Sequence, residues 1–326
     1  MKRFKNILCV VDSKKNNTSA LQQAAKLAES NQTGLTVVEV VEDISSDPTF
    51  FEQVLLLKDY QETIIRDCLA NLKVMAGECC GQVAVETCVL AGIPFMEIIR
   101  KVLRDGHDLV VMNAEKNNLL NRLFSSHHMH LLRKCPCPVW LVKQQPHRDY
   151  QRIVAAVDVS DTHPADEINT RRELNHLILE LATSLALSES AELHLVHAWT
   201  APGESFLRGG FSAMPEDEVD SYVEKMKQLR IRNLDTFMDE IAQRTGQDAL
   251  EFLKPEKHVI KGYPRKVIPQ LAKSLDADLV VMGTVAHISL PGFFMGNTAE
   301  DILNQLDCSV LAVKPRGFRS PITVAE

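Results

Sequence analysis

The chain has 326 residues, room for two domains of about 150 residues each rather than one large core. Its hydrophobic fraction of 45% and charged fraction of 24% are those of an ordinary soluble globular protein, which excludes broad disorder and a fibrous fold. The net charge of −7 argues against a nucleic-acid partner held by phosphate neutralisation, but not against a small anion, which a single loop can bind. No apolar run reaches the length of a membrane span, and MKRFKNILCVVDS meets Asp12 before a signal-peptide core is complete, so the expected location is cytosolic. The eight cysteines, several inside apolar runs, read as free thiols.

In chain order, NILCVVD (6–12) is an apolar strand that ends in aspartate. A helix near 18–31 follows, with Thr18 or Ser19 as its cap and Leu21, Ala24, Ala25 and Ala28 as its apolar stripe. Strand 35–41 is β-branched and suited to burial on both faces. A long helix spans about 49–76, with Phe51, Val54, Leu55, Tyr60, Ile64, Leu72 and Met75 on its packed side. Strand 82–88 and a turn at Gly92 lead to helix 94–105, where Pro94 suits the first turn because its missing N–H would be unpaired there anyway. Strand 108–112, a loop, helix 125–134 and strand 138–142 complete the first half. Beyond a polar linker at 144–151 the order repeats: strand 152–157, helix 169–188, strand 192–197, helix 216–244, strand 255–260, helix 264–275, strand 278–282, helix 297–306 and strand 309–313.

The two halves share four landmarks in the same order. NILCVVD faces RIVAAVD (152–158), and LAGIPFMEIIRKV (90–102) faces IKGYPRKVIPQLA (260–272). DLVVMNAEK at 108 then faces DLVVMGTVA at 278, and CPVWLVK at 137 faces CSVLAVK at 308. This is a tandem duplication, with halves 1–144 and 152–314 that each read as a five-stranded parallel α/β unit. The second half carries an extra loop, TAPGESFLRGGFSAMP (200–215), beyond the carboxyl end of a parallel strand, where a lid over a ligand would sit.

Residues 278–314 concentrate the candidate site. A strand runs through Met282 into Gly283, an irregular loop with His287 follows, and Gly296 opens a helix for which Asn297 is the expected N-cap and Glu300 its capping-box partner. The hydroxyl of Thr298 beside exposed N–H groups suits a phosphate or another anion. No lysine follows Gly296, so this is not a Walker A loop, and the dinucleotide fingerprint is absent. Asp158 ends the first strand of the same half, where its carboxylate can accept from an amino group or a ribose hydroxyl. In the first half Asn113 stands in place of Gly283, and Ser125 or Ser126 in place of Gly296. Those side chains would obstruct a close approach to phosphate, which marks that half as a degenerate partner.

HHMHLLRKCPC (127–137) invites a metal reading through His127, His130, Cys135 and Cys137. Cys137 aligns with Cys308 at the entrance to a buried strand, however, so core packing for Cys137 and solvent-facing histidines are the expectation, and a metal is not. No nucleophile elbow and no metal-spaced histidine pair on a helix is present, so binding without efficient turnover is expected.

Both halves of the chain resemble a tandem universal stress protein, most similar to the enterobacterial E type. In the nucleotide-binding members a glycine ends the fourth strand, a second follows after two residues, and a third comes after nine more with a serine or threonine behind it. Gly283 matches the first, Ala286 replaces the second and Gly296 matches the third. Asn297 stands where the hydroxyl residue is usual, with Thr298 adjacent. The resemblance implies ATP or another adenine nucleotide in the second half, with Asp158 at the adenosine moiety, Val259 lining the base pocket, and Gly283, Gly296, Asn297 and Thr298 around the phosphates. It implies two Rossmann-like domains in an internal pseudo-dimer, with which a further homodimer is compatible, joined through strands 138–142 and 309–313 with Trp140 opposite Leu311. Two alternatives stand beside it. ISLPGFFM (288–295), Phe206, Leu207 and Phe211 are apolar enough to admit an amphiphilic or lipid-like ligand, and a structural or partner-binding protein would leave both pockets vestigial.

Overall fold

The computed structural model describes residues 4–15, 17–44, 54–114, 124–144, 149–161, 163–209, 214–245, 247–284 and 295–324. The first repeat runs β1 (Asn6–Val10), α1 (Ser19–Asn31), β2 (Gly34–Val41), α2 (Val54–Cys79), β3 (Val85–Ala91), α3 (Pro94–Asp105), β4 (Leu109–Ala114), α4 (Ser126–Lys134) and β5 (Val139–Lys143). The second runs β6 (Arg152–Ala156), α5 (Ala165–Glu189), β7 (Glu192–Trp199), α6 (Glu204–Leu207), α7 (Glu216–Thr245), α8 (Gln247–Leu253), β8 (Glu256–Lys261), α9 (Pro264–Ser274), β9 (Leu279–Gly283), α10 (Asn297–Leu303) and β10 (Ser309–Val313). The chain divides into two compact units: Met1–Arg148 with Gly292–Met295 and Asp307–Glu326, and Asp149–Pro291 with Gly296–Leu306.

In the first unit the parallel strands lie in the order β3-β2-β1-β4-β5, and β10 adds to β5 antiparallel, with Leu311 opposite Trp140 as expected. In the second, parallel strands lie in the order β9-β6-β7-β8. The central strands are buried on both faces: Ile7, Leu8 and Cys9, like Ile153, Val154 and Ala155, have no exposed surface.

The aspartate of each DLVVM segment explains why both repeats keep it. The Asp108 carboxylate accepts from the N–H groups of Lys5 (2.7 Å) and Asn6 (3.1 Å), at the start of β1. The Asp278 carboxylate likewise accepts from Gln151 (2.6 Å) and Arg152 (3.0 Å), at the start of β6. Each carboxylate thus fixes the register of the first and fourth strands of its repeat by satisfying two backbone donors at the strand entrance. Gly92 (φ 137°) and Gly262 (φ 147°) are the repeated turn, in backbone that a side chain rarely adopts. A Cβ on Gly262 would also lie 2.8 Å from Val267.

Several boundaries differ from the sequence reading. The strand expected at 82–88 is β3, three residues later, because Gly81 (φ 56°) and the Val83 N–H to Cys80 carbonyl bond make a turn there. Tyr60, expected on the packed face of α2, is 58% exposed, while Cys68, Leu72 and Ala76 are buried. The short helices α6 and α8 carry too few residues for a periodic signal. Phe51, Phe211, Phe293 and Phe294 lie outside the described residues.

Trp140 is the largest fully buried side chain of the first unit and sits in the β5–β10 pair. Trp140→Ala is expected to lower unfolding stability by about 3–5 kcal/mol in urea titrations, as truncation of a buried aromatic does.

Candidate functional site

The second unit's chain goes from β6 outward to β7 and β8, then returns to place β9 on the other side of β6. The following helices therefore leave on opposite faces, and a crevice opens outside the carboxyl ends of β6 and β9. A cavity of about 370 Å³ fills that crevice. That volume suits a small organic ligand, for which ~300–1,000 Å³ is typical. Leu174, Ile178, Ile268 and Ile302 form apolar walls, and Asp158, Arg171, Asn175 and Thr298 supply the polar groups.

Of the residues singled out by sequence, Asp158, Met282, Gly283, Gly296 and Thr298 come together in this lining. Val259 and Asn297 are not in it, and His287 lies outside the described residues, as does Ala286. Val259 pairs in register with His197, so strand alternation sends it to the other face from Ala198, which holds the wall position. The capping expectation is corrected. Gly296 (φ −69°, ψ 143°) is the N-cap of α10 without a side-chain bond, and Asn297 is the first helical residue and exposed. The Gly296 N–H donates to the Thr284 carbonyl (3.1 Å), which ties the helix entrance to the end of β9 and starts the helix one residue earlier.

Asp158 is the most constrained group of the site. Its carboxylate accepts from the Ser160 N–H (3.1 Å) and pairs with His163 Nε2 (2.8 Å), with Arg171 Nη1 at 4.0 Å. Asn175 bridges the same residue, accepting from the Asp158 N–H (3.1 Å) and donating to its carbonyl (2.7 Å). Burial alone would raise this carboxyl. The hydrogen bonds from His163 and Ser160, with the charges of His163 and His197, outweigh that and hold it well below the usual carboxylate range. Burial pushes His197 down, although the Asp158 charge works against it. Arg171 donates to Glu167 Oε2 (3.0 and 2.8 Å), an i,i+4 pair on α5 that aims its guanidinium at the crevice.

His163, Arg171 and Asn175 escaped the sequence reading. His163 lies in the lead into α5, and Arg171 and Asn175 lie in the amino-terminal half of that helix, where no landmark aligns. The one available signal was the polar run DTHPADEINTRREL.

Gly283 lines the cavity, and its lack of a side chain has a packing cause as well. A Cβ there would stand 2.8 Å from Leu174 Cδ2 and 3.4 Å from Cγ, so the glycine lets α5 lie against β9. In the first unit the corresponding Asn113 solves the same contact differently. Its side chain accepts from the Ala20 N–H (2.9 Å) and donates to the Asn17 carbonyl (3.0 Å), capping α1, whose expected cap Thr18 makes no side-chain capping bond. The amide is thus turned into the helix end, and a cavity of about 460 Å³ remains beside it, lined also by Asp12, Lys14, Glu39 and His127. Asn113 and Ser125 both line that cavity.

Of the histidines expected to face solvent, His127 is exposed, whereas His130 is half-buried and stacks on Phe95 at 4.7 Å. His128 between them is buried and completes a capping box with Ser125. Cys135 and Cys137 are buried with their sulfurs 3.6 Å apart, and all eight cysteines are free.

Two outcomes follow. Gly283→Ala is expected to lose about 1–3 kcal/mol to overpacking, and most of that loss should vanish in a Leu174→Ala background, as read by a double-mutant cycle in urea. The depressed Asp158 carboxyl contributes stability that is complete above the unfolded carboxylate value of ~3.9 and is lost as pH falls toward the folded value. Urea midpoints measured between about pH 5 and pH 2 should fall less steeply in Asp158→Asn than in the parent chain.

The sequence profile of the universal stress protein family matches residues 3–143 and again 149–314. Universal stress protein E of Escherichia coli strain K12 is 29% identical over 335 residues, covering 99% of this chain and 98% of that protein. The protein of the same name from Photorhabdus laumondii is 28% identical over 337 residues, covering 100% of both chains. A solved structure of a functionally unknown protein from Pseudomonas aeruginosa PAO1 has a TM-score of 0.67 at 23% identity, over 96% of this chain and 94% of that one, a likeness of fold. With the profile matched twice along its length, and a crevice at the switch point of each repeat, this chain belongs to the universal stress protein family and carries its domain in tandem.

Proposed function

We propose that the second unit binds an adenine nucleotide, ATP in the first instance, at the β6–β9 crevice and does so without efficient hydrolysis, as part of a stress response inside the cell. The observation that carries this reading is the position and chemistry of Asp158. An ionised carboxylate, held by His163 and the Ser160 N–H, stands at the mouth of an apolar slot at the switch point. The slot between Leu174, Ile178, Ile268 and Ile302 suits the faces of a base, and Asp158 suits the hydroxyls of a ribose. Arg171, Gly283, Gly296 and Thr298 line the same cavity and would take the phosphates. When bound, the nucleotide supplies a triphosphate anion, and the chain supplies orientation. No described side chain of the lining is placed as a base on an attacking water apart from Asp158, whose strong hydrogen bonds make it a poor proton acceptor.

The four aliphatic walls also suit the chain of an amphiphile with its polar head at Arg171 and Thr298, which is the second reading. Titration of a fluorescent ATP analogue against the full chain should saturate with one site in the second unit. Binding should weaken more than tenfold in Gly296→Arg and in Asp158→Ala, and unlabelled ATP should displace the probe. Absence of saturation at millimolar nucleotide overturns the reading, and displacement by a fatty acid but not by ATP selects the amphiphile.

A further inference from the structure

A second cluster lies on the same sheet, away from the crevice. His194 on β7 is in register with Glu256 on β8, and His258 follows Glu256 by two residues. Strand alternation puts Glu192, His194, Glu256 and His258 on one face, and β8 is the edge of the four strands of this unit. Ala198, the cavity wall, is on that face too, four residues or about 13 Å farther along β7.

The separations within the cluster are those of ligands around one ion. His194 Nδ1 is 3.2 Å from His258 Nε2 and 3.4 Å from Glu256 Oε2, and His258 Nε2 is 3.8 Å from Glu256 Oε1. Nitrogen and oxygen ligands at ~2.0–2.1 Å from a tetrahedral zinc ion are about 3.3–3.4 Å apart, so a small closing of Glu256 completes the triangle. The other His194 nitrogen, Nε2, is buried without a hydrogen-bond partner, and the Glu192 carboxylate lies 3.7 Å from it. A metal-bound histidine commonly gives its second N–H to such a carboxylate, which fixes the tautomer that leaves Nδ1 free for the ion. Glu256 is largely exposed, so an ion has a path from solvent to the buried imidazole.

The geometry points to a divalent zinc site formed by His194 Nδ1, His258 Nε2 and the Glu256 carboxylate, with water as the fourth ligand and Glu192 as the outer partner of His194. The donor set of two imidazoles and one carboxylate favours zinc over magnesium or calcium, which take oxygen ligands. Such an ion clasps the edge strand β8 to β7. It is independent of the nucleotide reading, since none of its ligands lines the crevice.

The test is calorimetric titration of the chelator-treated full chain with zinc chloride, with magnesium chloride as control. One equivalent of zinc is expected to bind, with no magnesium uptake. Binding should weaken more than tenfold in His258→Ala and in Glu256→Ala, and by about tenfold in Glu192→Gln. The melting temperature should rise with zinc in the parent chain and stay unchanged in His258→Ala. Glu256→Ala alters an exposed side chain and keeps the test valid if His258→Ala folds poorly, which circular dichroism reports. Cobalt(II) in the parent site should show four-coordinate ligand-field bands without thiolate charge transfer. Failure to bind zinc, unchanged affinity in the Glu256 and His258 variants, or a thiolate band that places the ion at cysteine would each overturn the assignment.

Discussion

The arrangement of each unit depends on one pairing, the first strand of a repeat beside its fourth. The Asp108 and Asp278 carboxylates each take two backbone N–H groups at the entrance of the first strand and so lock β1 to β4 and β6 to β9 from the amino end. At the far end the strands stay paired, and the chain leaves each of them for a helix on a different face. A clamp at one end and diverging helices at the other produce a crevice whose floor is rigid and whose walls are helices. The cavity at Asp158 is a consequence of that topology, and so is its counterpart at Asp12.

Duplication has preserved the clamp and relaxed the crevice. Where the second repeat uses a glycine so that Leu174 can pack against β9, the first uses Asn113 to cap α1. Both choices satisfy the same need, closing the gap between the fourth strand and the first helix. One does it with packing and the other with hydrogen bonds. The result is an apolar slot in the second unit and a more charged cavity in the first, in which Asp12, Lys14 and Glu39 take part. A glycine at the end of a strand is thus an ambiguous sign: at Gly283 it serves helix packing in the structure and ligand approach in the proposed function.

The crevice end and the opposite end of β7 also divide labour by chemistry. Toward the carboxyl ends the side chains offer a carboxylate, a guanidinium and a hydroxyl around apolar walls. Toward the amino end of the same strand the face offers two imidazoles and two carboxylates. Period-two alternation decides which residues of β7 and β8 share each of those surfaces, and this is why Ala198 rather than Val259 faces the slot.

The sequence by itself determined the repeat and the strand and helix order, because each rests on local periodicity or on landmarks that recur in both halves, and the family resemblance implied the partnership of Trp140 with Leu311. It also located the crevice at Asp158, Gly283, Gly296 and Thr298, since glycines and a terminal aspartate at strand ends carry a signal in the chain. Only the tertiary structure decided what surrounds them. The cap of α10 follows from a bond between Gly296 and Thr284 across the intervening loop, and the buried place of His128 from its box with Ser125. The ring of His163, Asn175 and Arg171 about the site, and the meeting of His194 with His258, join residues on different elements or at opposite ends of a lead segment. Such contacts depend on strand register and helix placement, which no local pattern of residues encodes.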